Sequence, residues 1–146
     1  MKSNISTFAL ATLVAIASLS QAHAQTQASR VSVPFAFECD GITLAPGTYT
    51  ISKVDGEHRI TLWDSKTSRI FLVANADGPK NAKLGYLAFH KYGNRYFLAE
   101  YHAANSTSSM DLPESAKERR LAGDYAMNRT EPGRVQLALN DGDWIR

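Results

Sequence analysis

Two of the four histidines and a glutamate fall within Leu84 to Ala103, and there the sequence comes nearest to reactive chemistry. Glu100 and His102 are two positions apart, so on a strand they share a face and the carboxylate can orient the imidazole. On an apolar wall of Phe89 and Tyr96 such a pair would be an acid–base couple with shifted pKa values. The same spacing fits an ion pair at a strand end, or a glutamate bonded to a neighbouring strand or a helix. This plainer reading carries more weight. No G-x-S-x-G elbow, H-E-x-x-H pair, Walker sequence or G-x-G-x-x-G loop occurs. The sequence leans away from an enzyme and assigns no catalytic residue, keeping Glu100 and His102 as a candidate polar pair.

No metal and no cofactor are expected. A single cysteine, Cys39, excludes an intramolecular disulfide and a multi-cysteine zinc site. Its neighbours Glu38 and Asp40 disfavour the thiolate, which leaves it buried and inert or open to pairing between chains. His58 belongs to a different hairpin from His90 and His102. Tyrosines are numerous near His90, and Tyr86, Tyr92, Tyr96 and Tyr101 join it as candidate ligand-binding residues, with Trp63 and Trp144 elsewhere. An exposed aromatic row would hold a sugar ring or an apolar ligand. The alternative is a hairpin covered on both faces, by a second sheet and by a helix, which its largely apolar faces favour.

Register decides which of these groups can meet. Tyr92-Gly93-Asn94 separates two strand-like runs, Lys83–Lys91 and Arg95–Ala103. With Gly93-Asn94 as a two-residue loop, His90 opposes Phe97 and Tyr86 opposes Tyr101. An unbroken alternation then puts His90 with Tyr86, Ala88, Phe97 and Tyr101. It puts His102 with Leu87, Phe89, Tyr96, Leu98 and Glu100 on the opposite face, about 17 Å away at ~3.3 Å per residue, too far to share a metal ion.

The rest of the chain reads as short strands between turns. Val31, Val33, Phe35 and Phe37 alternate with Ser32, Pro34 and Ala36, an edge strand because Pro34 cannot donate to a ladder. Short strands are expected at Ile42–Leu44, Thr48–Ser52, Arg59–Trp63 and Arg69–Ala74. Their turns are Ala45-Pro46-Gly47, Asp55-Gly56 and Asp64–Thr67. Asn75–Pro79 and Asn105–Ser109 read as loops. Ser115 and Glu118 have capping-box spacing and open a helix near Pro113–Met127. On it Lys117, Arg119 and Arg120 with Glu114 and Glu118 read as a solvated face, or as a docking patch for an anionic envelope polymer. Val135–Leu139 is a last strand, after which Asp141-Gly142 turns toward Trp144-Ile145. Turns every 8 to 12 residues predict a mainly β fold, an antiparallel β-sandwich or small barrel with one helix in the C-terminal half.

The first residues predict export. Lys2 precedes the 12-residue apolar run Phe8–Leu19, and Ala22-His23-Ala24 has the small residues of a cleavage site. Twelve helical residues cover about 18 Å, short of a ~30 Å hydrocarbon core. Residues 1–24 therefore read as a cleaved signal and 25–146 as a single β-rich domain, periplasmic or secreted, with no membrane span after cleavage. Sixteen basic against 14 acidic side chains show no basic excess of the kind a nucleic-acid binder needs.

Four segments carry a resemblance: Val33-Pro34-Phe35-Ala36-Phe37, Leu44 to Tyr49, Phe89 to Leu98, and Leu112-Pro113-Glu114-Ser115 leading to Glu118. The chain resembles a family of small bacterial secreted proteins of unknown function with VPFxF, PAG-x-Y, FHRYG-x-x-YFL and LPxSxxE segments. Ala45-Pro46 inverts the usual Pro-Ala order, and Lys91 stands where arginine is common. The resemblance implies an exported β-rich domain and carries no activity. The resulting expectation is a non-catalytic binding or envelope-associated module for a small apolar or saccharide ligand or an envelope protein. The alternatives are an assembly protein using the edge strand Val31–Phe37, and an enzyme using Glu100 and His102.

Overall fold

The computed structural model describes residues 26–54, 58–78 and 82–140. The signal segment, the Asp55-Gly56 turn, Pro79, and the Asp141-Gly142 and Trp144-Ile145 segments lie outside the described residues. Among the described residues no helix is long and apolar enough to cross a membrane.

Among the described residues eleven strands and one helix follow in chain order. They are β1 (Thr26–Val33), β2 (Phe37–Cys39), β3 (Ile42–Leu44), β4 (Gly47–Val54), β5 (Arg59–Trp63), β6 (Ser68–Leu72), β7 (Ala74–Asp77), β8 (Tyr86–Tyr92), β9 (Arg95–His102), β10 (Ser108–Asp111), α1 (Ala116–Met127) and β11 (Gly133–Ala138). One sheet has the order β1-β4-β5-β6, and the other β11-β8-β9-β10-β7 with β2 and β3 attached through β9. Both sheets are open, so the fold is the sandwich rather than the barrel. Their inner faces share one core. Ile51, Ile60, Leu62 and Phe71 come from the first sheet, and Leu87, Phe89, Leu98, Tyr101 and Met110 from the second. Phe37 of β2 meets Tyr49 of β4 edge to face at 5.4 Å across the junction.

Val31–Phe37 is not one strand. β1 ends at Val33, and after Pro34 the chain crosses to the other sheet, where Glu38 of β2 pairs in parallel with Phe97. The missing proline N–H explains where the ladder stops. Two expected loops are also partly strand: Ala74–Asp77 and Ser108–Asp111 pair with each other as β7 and β10. Their polar sequences hide this, because the pairing is made by backbone groups rather than by side chains.

The β8–β9 hairpin turns through Gly93, whose φ of 61° suits the first position of a type II′ loop. Its register follows the expected pairing from Tyr92–Arg95 to Phe89–Leu98, then shifts by one, so that Ala88 pairs with Glu100 and Tyr86 with His102. Ala99 is the unpaired residue of a β-bulge. Every residue beyond it changes face relative to an unbroken ladder. Glu100 and His102 join Tyr86, Ala88 and His90, while Tyr101 turns into the core. The expected assignment of His102 and Glu100 to the opposite face is thus overturned by a single extra residue. The bulge also supplies a hydrogen bond, since the Ala99 carbonyl accepts from the Leu112 N–H at 2.8 Å and guides the chain from β10 toward α1.

Candidate functional site

The face that the bulge assembles carries one polar side chain from each of four adjacent strands. Arg134 of β11 pairs with His90 of β8, and Glu100 of β9 pairs with Asp111 of β10. Alternation with the apolar Val135 and Leu137 directs Arg134 to this side. The segment entering α1 closes the flank with Glu114, and Glu118 in the first turn of α1 lies buried against His90. Together His90, Glu100, Asp111, Glu114 and Arg134, with Ala99 and Leu112, line a cleft of about 260 Å³.

Bonding within the cleft is specific. Tyr86 donates its hydroxyl to Glu100 Oε1 at 2.8 Å, and the Arg134 guanidinium donates to Glu100 Oε2. His90 Nδ1 lies 2.7 Å from Glu118 Oε1, whose side chain is 4% exposed. The Ser115 hydroxyl accepts from the Glu118 N–H at 3.1 Å, so the serine half of the expected capping box forms. The other half does not, because the Glu118 carboxylate serves His90. Glu118 is therefore no part of a solvated helix face, while Lys117 stays exposed and reaches Glu38 at 2.5 Å.

Charge inside the cleft is unbalanced. Three carboxyls, from Glu100, Asp111 and Glu114, line it with one guanidinium and one imidazole, and the buried Glu118 carboxylate pairs with that imidazole. Burial and the Glu100 charge push the Asp111 carboxyl above the usual aspartate range. The Glu118 hydrogen bond raises His90 above the usual histidine value against the opposing effect of burial. Burial, reinforced by Glu100, raises Tyr86. One donor atom from each of His90, Glu114 and Glu118 lies within 4.8 Å of the others.

The expected Glu100–His102 couple is not formed. Glu100 is committed to Tyr86 and Arg134, and His102 is fully buried with neither ring nitrogen hydrogen-bonded among the described residues. Its ring stacks on Tyr86 instead, with centroids 5.0 Å apart and planes at 23°. The aromatic residues do not form an exposed row. Tyr101 and Tyr92 are buried, Tyr92 against the edge of Tyr125 at 5.1 Å, and Tyr96 is half-buried and stacked on Phe35 at 3.8 Å. Of the five candidate ligand-binding residues, His90 lines the cleft and Tyr86 is hydrogen-bonded to the Glu100 that lines it. Cys39 is buried, and burial ahead of the Asp40 and Glu118 charges raises its thiol pKa, so Glu118 takes the part expected of Glu38.

Sequence reasoning missed Asp111 and Arg134 and misplaced Glu114 and Glu118. For Arg134 the signal was present in the alternation Arg134-Val135-Gln136-Leu137, given the partner strand. For Asp111 no local signal exists, because its position depends on β10 lying beside β9.

Comparison with protein-family models, with curated proteins and with solved structures yields no match.

Proposed function

We propose that this chain is an exported, non-catalytic binding module that holds a small cationic ligand in the cleft between α1 and the β8–β11 face. The observation that carries the reading is the convergence of three carboxyls on a cleft whose one guanidinium is paired with Glu100 and whose one imidazole is paired with the buried Glu118. The raised Asp111 carboxyl supports it, since crowded carboxyls are relieved by a bound positive charge. Export rests on the signal-like residues 1–24, and the family resemblance agrees with it. A ligand held by the aromatic hairpin is less favoured, because its tyrosines are engaged with neighbouring rings and with Glu100.

Amide chemical-shift mapping with 1,4-diaminobutane and with arginine methyl ester tests the reading. Saturable shifts are expected around Ala99, Asp111, Glu114 and Arg134, weakened at least about tenfold in an Asp111→Asn, Glu114→Gln double variant, as for loss of a charge-assisted contact. Shifts scattered over the surface, or unchanged in the double variant, would sink it.

A second reading, assembly through a sheet edge, moves from Val31–Phe37 to β6. β6 is outermost in its sheet and exposes Ile70 and Leu72, at 62% and 73%. Ile70→Lys with Leu72→Lys is expected to abolish any oligomer seen by analytical ultracentrifugation, and an oligomer unaffected by the pair would exclude this edge.

A further inference from the structure

We propose that His90, Glu114 and Glu118 form a binding site for one divalent transition-metal ion of the zinc type, facing the cleft. The inference rests on the cationic-cleft reading and names the cation.

Three features of the arrangement favour a metal ion over an organic cation at this corner. The first is donor chemistry. One imidazole nitrogen and two carboxylate oxygens are a borderline set that suits zinc and cobalt(II), whereas calcium and magnesium call for six or more oxygens. The second is spacing. Ligands at ~2.0 Å from a tetrahedral ion are about 3.3 Å apart. His90 Nδ1 and Glu118 Oε1 are 2.7 Å apart, and a Glu114 carboxylate oxygen lies within 4.8 Å of a donor atom of each residue. A small opening of the first pair and a rotation of exposed Glu114 complete the set. Three protein donors leave a fourth position directed at the cleft, the pattern of metal sites that accept a further ligand.

The third feature is the local charge. The cations nearest these carboxylates are engaged elsewhere: Lys117 with Glu38, Arg134 with Glu100, and Arg119 with the Glu114 backbone carbonyl. Among the described residues His90 is the basic group that pairs with the Glu118 carboxylate. Glu118 is also fixed before any ion arrives, because its backbone is held by the Ser115 cap and its side chain is packed beneath the helix. A preset ligand reduces the ordering cost of binding.

The test uses the full chain, untagged and stripped with chelator, titrated with zinc chloride by calorimetry and with cobalt chloride by visible absorption. One equivalent of zinc is expected to bind with micromolar affinity or better, and cobalt to give the intense visible bands of a low-coordinate site. Glu114→Gln changes an exposed side chain and leaves the fold intact; it is expected to weaken binding at least about tenfold. Asp124→Asn, on an exposed acid further along α1, is expected to leave binding unchanged. Binding that does not saturate, or that Glu114→Gln leaves untouched, overturns the site. If zinc fails to bind while 1,4-diaminobutane still shifts the cleft amides, the metal assignment falls and the cationic cleft stands. Silence toward both removes both.

Discussion

Removing the His90 imidazole leaves the Glu118 carboxylate buried with no counter-charge, a larger penalty than the loss of an ordinary surface pair. Because His90 is itself about one-third exposed, some water reaches the gap, and His90→Ala is expected to cost about 2 kcal/mol in urea unfolding. Glu118→Gln, which keeps a hydrogen-bond acceptor there, is expected to cost less than half of that. The pH dependence has a definite sign. His90 is raised above its usual value of 6.5 by the Glu118 bond, with Glu114 adding and Arg134 opposing. The stabilisation it gives is therefore complete below about pH 6.5 and is lost as pH rises through the folded-state value. In chelator, the urea midpoint is expected to fall across this window, and the His90→Gln chain to lack that decline. His102 shows the opposite case. Its buried, unpartnered nitrogens contribute nothing a hydrocarbon could not, so His102→Leu is expected to change stability by less than about 1 kcal/mol. A loss well beyond that would mean that the imidazole has a bonding partner outside the described residues.

At the level of elements, the Ala99 bulge decides what the hairpin presents. The sequence made the hairpin, its Gly93-Asn94 loop and the pairing from Tyr92 to Phe89 legible, because turn chemistry and period-two alternation are local. It also marked the helix through Ser115, and α1 begins at the next residue. The bulge was not legible, since Leu98-Ala99-Glu100 has no turn residue and the shift is compelled by partners. Tyr101 belongs in the core and Glu100 beside Arg134, and an unbroken ladder satisfies neither. Deleting Ala99 gives a testable contrast. It brings Glu100 directly after Leu98, opposite Ala88, so Glu100, Tyr101 and His102 keep their present faces. What is lost is the bend and the carbonyl that accepts from Leu112. The deleted chain is expected to fold with an unchanged far-ultraviolet spectrum, to be destabilised by about 1–3 kcal/mol, and to bind cations weakly. An unfolded product would show that the bulge is needed for the fold as well as the cleft.

Across the whole molecule, the two sheets depend on a common set of apolar side chains. Phe89 is fully buried and lies edge to face with Phe35 and Phe37, each at 5.3 Å. Phe89→Ala is expected to cost about 3–5 kcal/mol and to leave one unfolding transition, observed identically by tryptophan fluorescence and circular dichroism. Two separated transitions would mean that the sheets melt independently. The mainly β class and the C-terminal-half helix follow from turn spacing and capping, which report on neighbours in sequence. The division of strands between sheets does not, because β1 and β2 are three residues apart and yet lie in different sheets. That division has a kinetic side. Glu38 of β2 meets Arg95 across 57 residues of chain, and its parallel pairing with Phe97 spans a similar length. Closing so long a loop is slow compared with forming the adjacent β4–β5 and β8–β9 hairpins. The crossing at Pro34 thus acts as a late latch: a chain emerging in N-to-C order holds β2 paired only to its hairpin neighbour β3 until β9 arrives, and substitutions at Glu38 should alter the unfolding rate while leaving the folding rate nearly untouched.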